Sequence, residues 1–148
     1  GVVADSCMPP GYFGCAYSTT TLEMIGGYSG PEAYAASSRE LHRILKPGGI
    51  FGLGEPMHFD AMVPEDLAPH VKANLWEACF ATLEETKVAV AQAGFTILDA
   101  GYCEDADMWW QEFARYEPGC DPHDVAVIEN NRGRWLSYGY VIAKKQET

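Results

Sequence analysis

An α/β domain built on a largely parallel sheet is the architecture this sequence predicts. Short apolar runs that read as buried strands alternate with stretches of helical periodicity. The strand-like runs carry few polar residues, as strands covered on both faces do. Twice a helical stretch passes through glycine straight into a strand, at residues 40–53 and again at residues 82–98.

In chain order, Val2-Val3-Ala4 reads as the end of a short buried strand closed by Asp5-Ser6, and Pro9-Pro10-Gly11 as a loop. Residues 12–18 (YFGCAYS) form an apolar, aromatic run of strand length, prolonged by the β-propensity of Thr19, Thr20 and Thr21. Gly26-Gly27 and Ser29-Gly30 break the chain. Pro31 then suits a first helical position, and Tyr34, Leu41, Ile44 and Leu45 recur at helical spacing. Pro47 and Gly48-Gly49 end that helix, and residues 50–53 form the next strand. Gly52 and Gly54 signal close packing or close approach of a ligand.

Residues 56–69 read as an irregular, lid-like segment, and 70–80 as a helix with Val71, Leu75 and Cys79 on one face. Thr82-Leu83-Glu84-Glu85 fits a capping box, in which hydroxyl and carboxylate each take a free helix-end N–H. That helix ends at Gly94, before a strand at 95–98. Trp109, Trp110, Phe113 and Tyr116 share helical spacing, and Asp121-Pro122 opens a further helix with Val125 and Ile128 inward. Residues 135–143 are the final strand. The last two strands are expected to pair antiparallel at one edge of the sheet.

The 148 residues suffice for one domain, and no linker or repeat divides them. The net charge of −11, with no Lys/Arg cluster, argues against nucleic acid as a partner. No apolar run is long enough to span a bilayer and no signal peptide opens the chain, so a cytoplasmic protein without a membrane partner is expected. Five cysteines without a CxxC pair favour packed, reduced thiols over zinc or disulfides, with Cys15, Cys79 and Cys103 in apolar surroundings. In open parallel sheets ligands sit beyond the carboxyl ends of the strands, which draws attention to Asp5, Ser18, Thr19, Thr20, Thr21 and Glu55.

Several motifs, in order, resemble class I S-adenosylmethionine-dependent methyltransferases. Residues 39–49 (RELHRILKPGG) resemble the helix and turn before that family's fifth strand, and Asp5-Ser6 with Met8-Pro9 resembles the element closing its third. Residues 13–24 (FGCAYSTTTLEM) resemble the fourth-strand motif through Phe13, Ser18 and Leu22, with Gly14 where an acidic residue is usual. The stretch from Thr82 to Ala93-Gly94-Phe95 resembles the approach to the sixth strand, and Tyr138-Gly139-Tyr140-Val141-Ile142 the seventh. The Gly-rich turn after the first strand and the acidic residue ending the second are not in the sequence. The resemblance therefore implies a truncated, Rossmann-like methyltransferase fold, running from the third strand to the seventh. The missing central strands would leave an exposed sheet edge open to homodimerisation.

The resemblance implies S-adenosylmethionine as cofactor, provided further sequence supplies the Gly-rich motif, and a small-molecule methyl acceptor, with no metal required. It places Asp5, Ser6, Ser18, Thr19 and Thr20 as cofactor contacts; the competing readings are turn-forming and strand-forming roles. Glu23 lies where acceptor contacts fall in the family, against a solvated loop carboxylate. Glu55 and His58, just past a strand end, are the candidate catalytic pair, His58 as a general base near neutral pH. Trp109, Trp110 and Tyr116 are candidate substrate contacts, together with Phe113 as walls of an acceptor pocket or a cage for a cationic ammonium. Helical spacing equally suits core packing, although adjacent Trp109 and Trp110 cannot both face inward. Two further readings stay open: a catalytically inactive domain that oligomerises through its sheet edge, and another Rossmann-like nucleotide binder.

Overall fold

The computed structural model describes residues 3–147. Strands β1 (Phe13–Thr19), β2 (Leu45–His58), β3 (Phe95–Tyr102) and β4 (Leu136–Lys145) form one sheet in the order β1-β2-β4-β3. β1 and β2 pair in parallel, whereas β4 runs antiparallel to both of its neighbours. Three strands thus point the same way, in agreement with the expected α/β class. As expected, the last two strands pair antiparallel at one edge of the sheet, with β3 at the rim and β4 inside it. Inserted between β2 and β3, the apolar β4 has backbone partners on both sides; at the rim, half of its N–H and C=O groups would be left unpaired.

Seven helices connect these strands: α1 (Leu22–Ser29), α2 (Pro31–Ile44), α3 (Ala68–Ala73), α4 (Trp76–Cys79), α5 (Leu83–Gln92), α6 (Ala106–Tyr116) and α7 (Pro122–Asn131). The capping box at α5 is present as expected: Thr82 Oγ1 accepts from Glu85 N–H at 3.2 Å, and Glu85 Oε2 accepts from Thr82 N–H at 2.9 Å. The helix expected over 70–80 is instead two. Leu75 takes a left-handed backbone (φ 64°), and Asn74 Oδ1 accepts Trp76 N–H at 3.1 Å, restarting the chain as α4.

The sequence reading misses α1, because Gly26-Gly27 reads as a break. The two glycines are there for packing: a Cβ on Gly27 would collide with Cys79 Sγ, where α1 crosses α4. β2 also begins five residues early, at Leu45, directly after α2. Its pairing jumps from Phe13↔Leu45 to Cys15↔Ile50, and Gly48 (φ 76°) absorbs the surplus residues of the Lys-Pro-Gly-Gly turn. The strand expected over Val2-Val3-Ala4 is not found at Val3 and Ala4, which lie in a 3-10 turn ending at Asp5; Val2 lies outside the described residues.

The main core lies on one face of the sheet. Phe51 and Leu53 of β2, Val141 and Ala143 of β4 and Phe95 of β3 pack there against Leu22, Val90 and Ala93. A second core gathers Leu67, Val71, Trp76, Phe80, Val127, Ile128, Trp135 and Leu136 under α3, α4 and α7. The other sheet face carries Tyr17, Gly52, Gly54, Tyr140 and Ile142, none of them buried. β1 is therefore not covered on both faces as expected. It is an edge strand, Tyr17 is 84% exposed, and Cys15 is exposed instead of packed. All five cysteines are free, with only Cys79 buried.

The contact at Gly27 yields a test. Gly27→Ala forces α1 and α4 apart and should lower unfolding stability by about 1–3 kcal/mol, the usual cost of overpacking. Urea denaturation measures it, and an unchanged midpoint would contradict the close approach.

Candidate functional site

Beyond the carboxyl ends of β1 and β2 lies a cavity of about 350 Å³, lined by Thr20, Met24, Pro56, Trp76, Phe80, Trp109, Trp110, Phe113, Asp124 and Tyr138. Residues from the turn after β1 and from α1, β2, α4, α6, α7 and β4 meet there. Thr20, in a left-handed conformation (φ 48°), closes β1: its N–H donates to Gly54 C=O at 3.0 Å, and its hydroxyl bonds the Tyr138 hydroxyl at 3.1 Å. Pro56 and Tyr138 stand opposite each other across β2 and β4. The Tyr138 ring lies over Gly54, where an added Cβ would meet ring carbon Cε1 at 3.4 Å.

The aromatic walls support one another. Trp76 packs against Phe80 and Trp110, each with ring centroids 5.2 Å apart, and Phe113 meets Trp110 edge-on at 5.8 Å. Trp109 meets Tyr138 edge-on at 6.0 Å. The two edge-on pairs have the T-shaped geometry that the ring quadrupole favours, and the two Trp76 pairs are tilted. The adjacent tryptophans of α6 divide the work. Trp110 anchors the helix by donating Nε1–H to Ser137 C=O at 3.1 Å, while Trp109 is 44% exposed at the mouth. One carboxylate is present: Asp124 Oδ1 accepts from Asn74 Nδ2 at 2.7 Å. Burial holds its carboxyl above the usual range, partly offset by that hydrogen bond.

Behind this cavity sits a buried acidic pair. Glu55 Oε1, at the end of β2, accepts Glu23 N–H at 3.1 Å, and Oε2 accepts the Tyr34 hydroxyl at 3.3 Å. Glu23 is buried too, and its carboxylate oxygens have no partner among the described residues. Burial, and next the neighbouring Glu23, push the Glu55 carboxyl well above the ordinary range; burial raises Glu23 as well. Burial and the adjacent Glu55 drive the Tyr34 phenol upward. Two carboxyls buried side by side hold a proton between them far more readily than either would alone. A larger cavity of about 580 Å³ opens on the helix side of this pair, between α2 and α5.

The expected site residues are thus distributed unevenly. Thr20, Trp109 and Trp110 come together in the aromatic cavity, and Phe113 joins them. Ser18 and Thr19 end β1 beside it, paired with Leu53 and Gly54. Tyr116 does not join: it is 69% exposed, with Arg115 over its ring. Glu23 does not face the cavity either; its neighbour Met24 does. Glu55 reaches the cavity only through Glu23's main chain, and His58 is stacked on Trp135, with its Nδ1 2.7 Å from Phe59 C=O.

Asp5 and Ser6 lie at the opposite end of the sheet from Thr20. Ser6 N–H donates to Glu40 near the end of α2, and Arg43 binds Glu40 and Met8 C=O. α2 leads at once into Leu45, which pairs with Phe13 at the start of β1. The described residues therefore place Asp5 and Ser6 apart from Ser18, Thr19 and Thr20. Sequence reasoning missed Trp76, Phe80, Asp124 and Tyr138. A tryptophan four residues before Phe80, inside an apolar helical stretch, was the available signal; Asp124 gave none.

Among the described residues no group of three or more His, Cys, Asp or Glu is placed to hold a metal ion, and no helix is long and apolar enough to cross a membrane. No protein-family model matches the sequence, and no curated protein does. Solved structures do match. One is described as a sarcosine dimethylglycine methyltransferase from Galdieria sulphuraria, with TM-score 0.72, 16% identity, 99% of this chain and 58% of that one. Another is geranyl diphosphate C-methyltransferase from Streptomyces coelicolor A3(2), with TM-score 0.71, 16% identity, 97% of this chain and 51% of that one. A third is a cyclase, SpnF, with TM-score 0.68, 21% identity, 99% of this chain and 54% of that one. The fold is that of a class I methyltransferase-like domain, and the chain spans little more than half the length of these structures.

The acidic pair carries a prediction. Carboxyls whose folded pKa is raised contribute stability fully below their ordinary value of 4.5, and that stability is lost as pH rises through the raised values. Glu55→Gln keeps both hydrogen bonds, since its amide accepts from Glu23 N–H and donates to Tyr34. The variant should melt higher than the parent at neutral pH, by about 3 °C for each kcal/mol of relieved charge burial. Its thermal midpoint should also depend less on pH from the ordinary carboxylate range upward. Melting curves across pH that superimpose for the two proteins would rule this out.

Proposed function

We propose that the chain is the C-terminal portion of a methyltransferase domain, from third strand to seventh, and that it supplies the acceptor-binding cavity for S-adenosylmethionine-dependent methyl transfer to a small molecule. The observation that carries this reading is the position of the aromatic cavity, beyond the carboxyl ends of β1 and β2, where an open α/β sheet places its ligands. The likeness to methyltransferase structures supports it; a cyclase on the same fold shows why fold alone does not fix the reaction. The chain's own contribution is a dry, shaped pocket that fixes the acceptor's orientation. Contacts to the cofactor's methionine and ribose are assigned to a Gly-rich turn and an acidic residue outside these 148 residues.

Two measurements test this. Reading the gene upstream of the Gly1 codon should reveal an in-frame Gly-rich strand and turn; a start codon at that point, with no such motif, would overturn the partial-domain assignment. With the longer polypeptide, transfer of a labelled methyl group to small-molecule acceptors should fall about tenfold or more in kcat/KM in Trp109→Ala, as a lost positioning contact costs. Undiminished transfer would remove the cavity from the reaction.

A second reading, an inactive oligomerising module, is favoured by the edge of β1, unpaired among the described residues, and by the 84% exposure of Tyr17. It predicts a mass of two chains or more by light scattering at micromolar concentration; a monomer throughout would exclude it.

A further inference from the structure

We infer that the aromatic cavity binds an organic ammonium cation. This inference rests on the reading of the cavity as the acceptor site, and it names the chemical class of the group held there.

Six rings line the cavity, from Trp76, Phe80, Trp109, Trp110, Phe113 and Tyr138. Asp124 is the only ionisable carboxylate among the lining residues, and none of them is Lys, Arg or His. A neutral apolar ligand would fill the space yet leave that half-buried carboxylate without a charge partner inside the cavity, at a cost in desolvation; His123 acts on it only from outside the lining. An anion would meet Asp124 directly. A cation satisfies both features: its charge pairs with Asp124, and its methyl or methylene surface lies on the ring faces, whose quadrupoles attract positive charge.

Two further observations agree. Asp124 spends one oxygen on Asn74; among the described residues Oδ2 accepts no hydrogen bond, which leaves it free for a ligand. A volume of about 350 Å³ accepts a trimethylammonium head with a short tail and lies at the low end of ordinary ligand pockets.

The test uses choline and its uncharged carbon isostere, in which a tert-butyl group replaces the trimethylammonium. Each is titrated calorimetrically into the 148-residue chain. Choline should bind about tenfold or more tighter than the isostere, the ratio expected when a cation is enclosed by several aromatic faces. Asp124→Asn preserves the bond from Asn74, because its amide oxygen still accepts, and should weaken choline about tenfold while leaving the isostere unchanged. Trp109→Leu, at the exposed mouth, should weaken choline severalfold, with a circular dichroism spectrum like that of the parent.

Equal affinity for the two probes, or choline binding untouched by Asp124→Asn, would overturn the inference. The outcomes also separate the two proposals. Choline binding without methyl transfer in the longer polypeptide removes the methyltransferase assignment and keeps the cation site. Transfer to uncharged acceptors, with choline ignored, does the reverse.

Discussion

One hydrogen bond organises the functional end of this molecule: Glu23 N–H to Glu55 Oε1, 3.1 Å long and buried. It joins the start of α1 to the end of β2. It seats the turn of Thr20 and Thr21 between β1 and α1 together with the bond from Thr20 N–H to Gly54 C=O. With it, Met24 and Pro56 are set at a fixed separation, and Tyr138 is brought over Gly54 through the β2–β4 pairing. The cavity walls follow. The cost is two carboxyls buried side by side, a burden that burial and mutual repulsion translate into raised pKa values. Stability is being spent to hold a geometry, which is the usual signature of a functional region.

The aromatic cluster is the second half of this arrangement and comes from elements distant in sequence. α4 brings Trp76, α6 brings Trp109, Trp110 and Phe113, and α7 brings Asp124. α3 and α4 are kept separate by the left-handed Leu75, and that break is what turns Trp76 toward Trp110 and lets Asn74 reach Asp124. Irregular backbone at this point serves the site. Among the described residues, the opposite sheet face and the free edge of β1 have no comparable set of converging side chains.

Much of the fold was legible because its signals are local. The capping box at Thr82 and Glu85, the Ala93-Gly94-Phe95 junction and the aromatic helix all act within a few residues, and all are where the sequence put them. What stayed hidden depends on neighbours distant in the chain. Gly27 reads as a helix breaker until Cys79 is seen against it. Cys15 reads as buried until β1 is known to lie at the rim. Asp5 reads as a cofactor ligand by its motif, yet the Ser6–Glu40–Arg43 network draws its segment to the far end of the sheet. Of the site, the paired tryptophans were visible as an anomaly, because two adjacent aromatics on one helix cannot both be core. Asp124 and Tyr138 were not, since a carboxylate at a helix start and a tyrosine in a strand are each ordinary until they share a cavity.

The central claim is that a small molecule sits among Trp76, Trp109 and Trp110. The chain has four tryptophans, and the fourth, Trp135, is buried in the second core and does not line the cavity. Indole N–H signals in a proton–nitrogen NMR spectrum, assigned by single Trp→Phe variants, report each ring separately. On titration with choline, the signals of Trp76, Trp109 and Trp110 should move together along one saturating curve while Trp135 stays in place. Four unmoved signals, or a Trp135 signal that shifts as far as the others, would contradict the account.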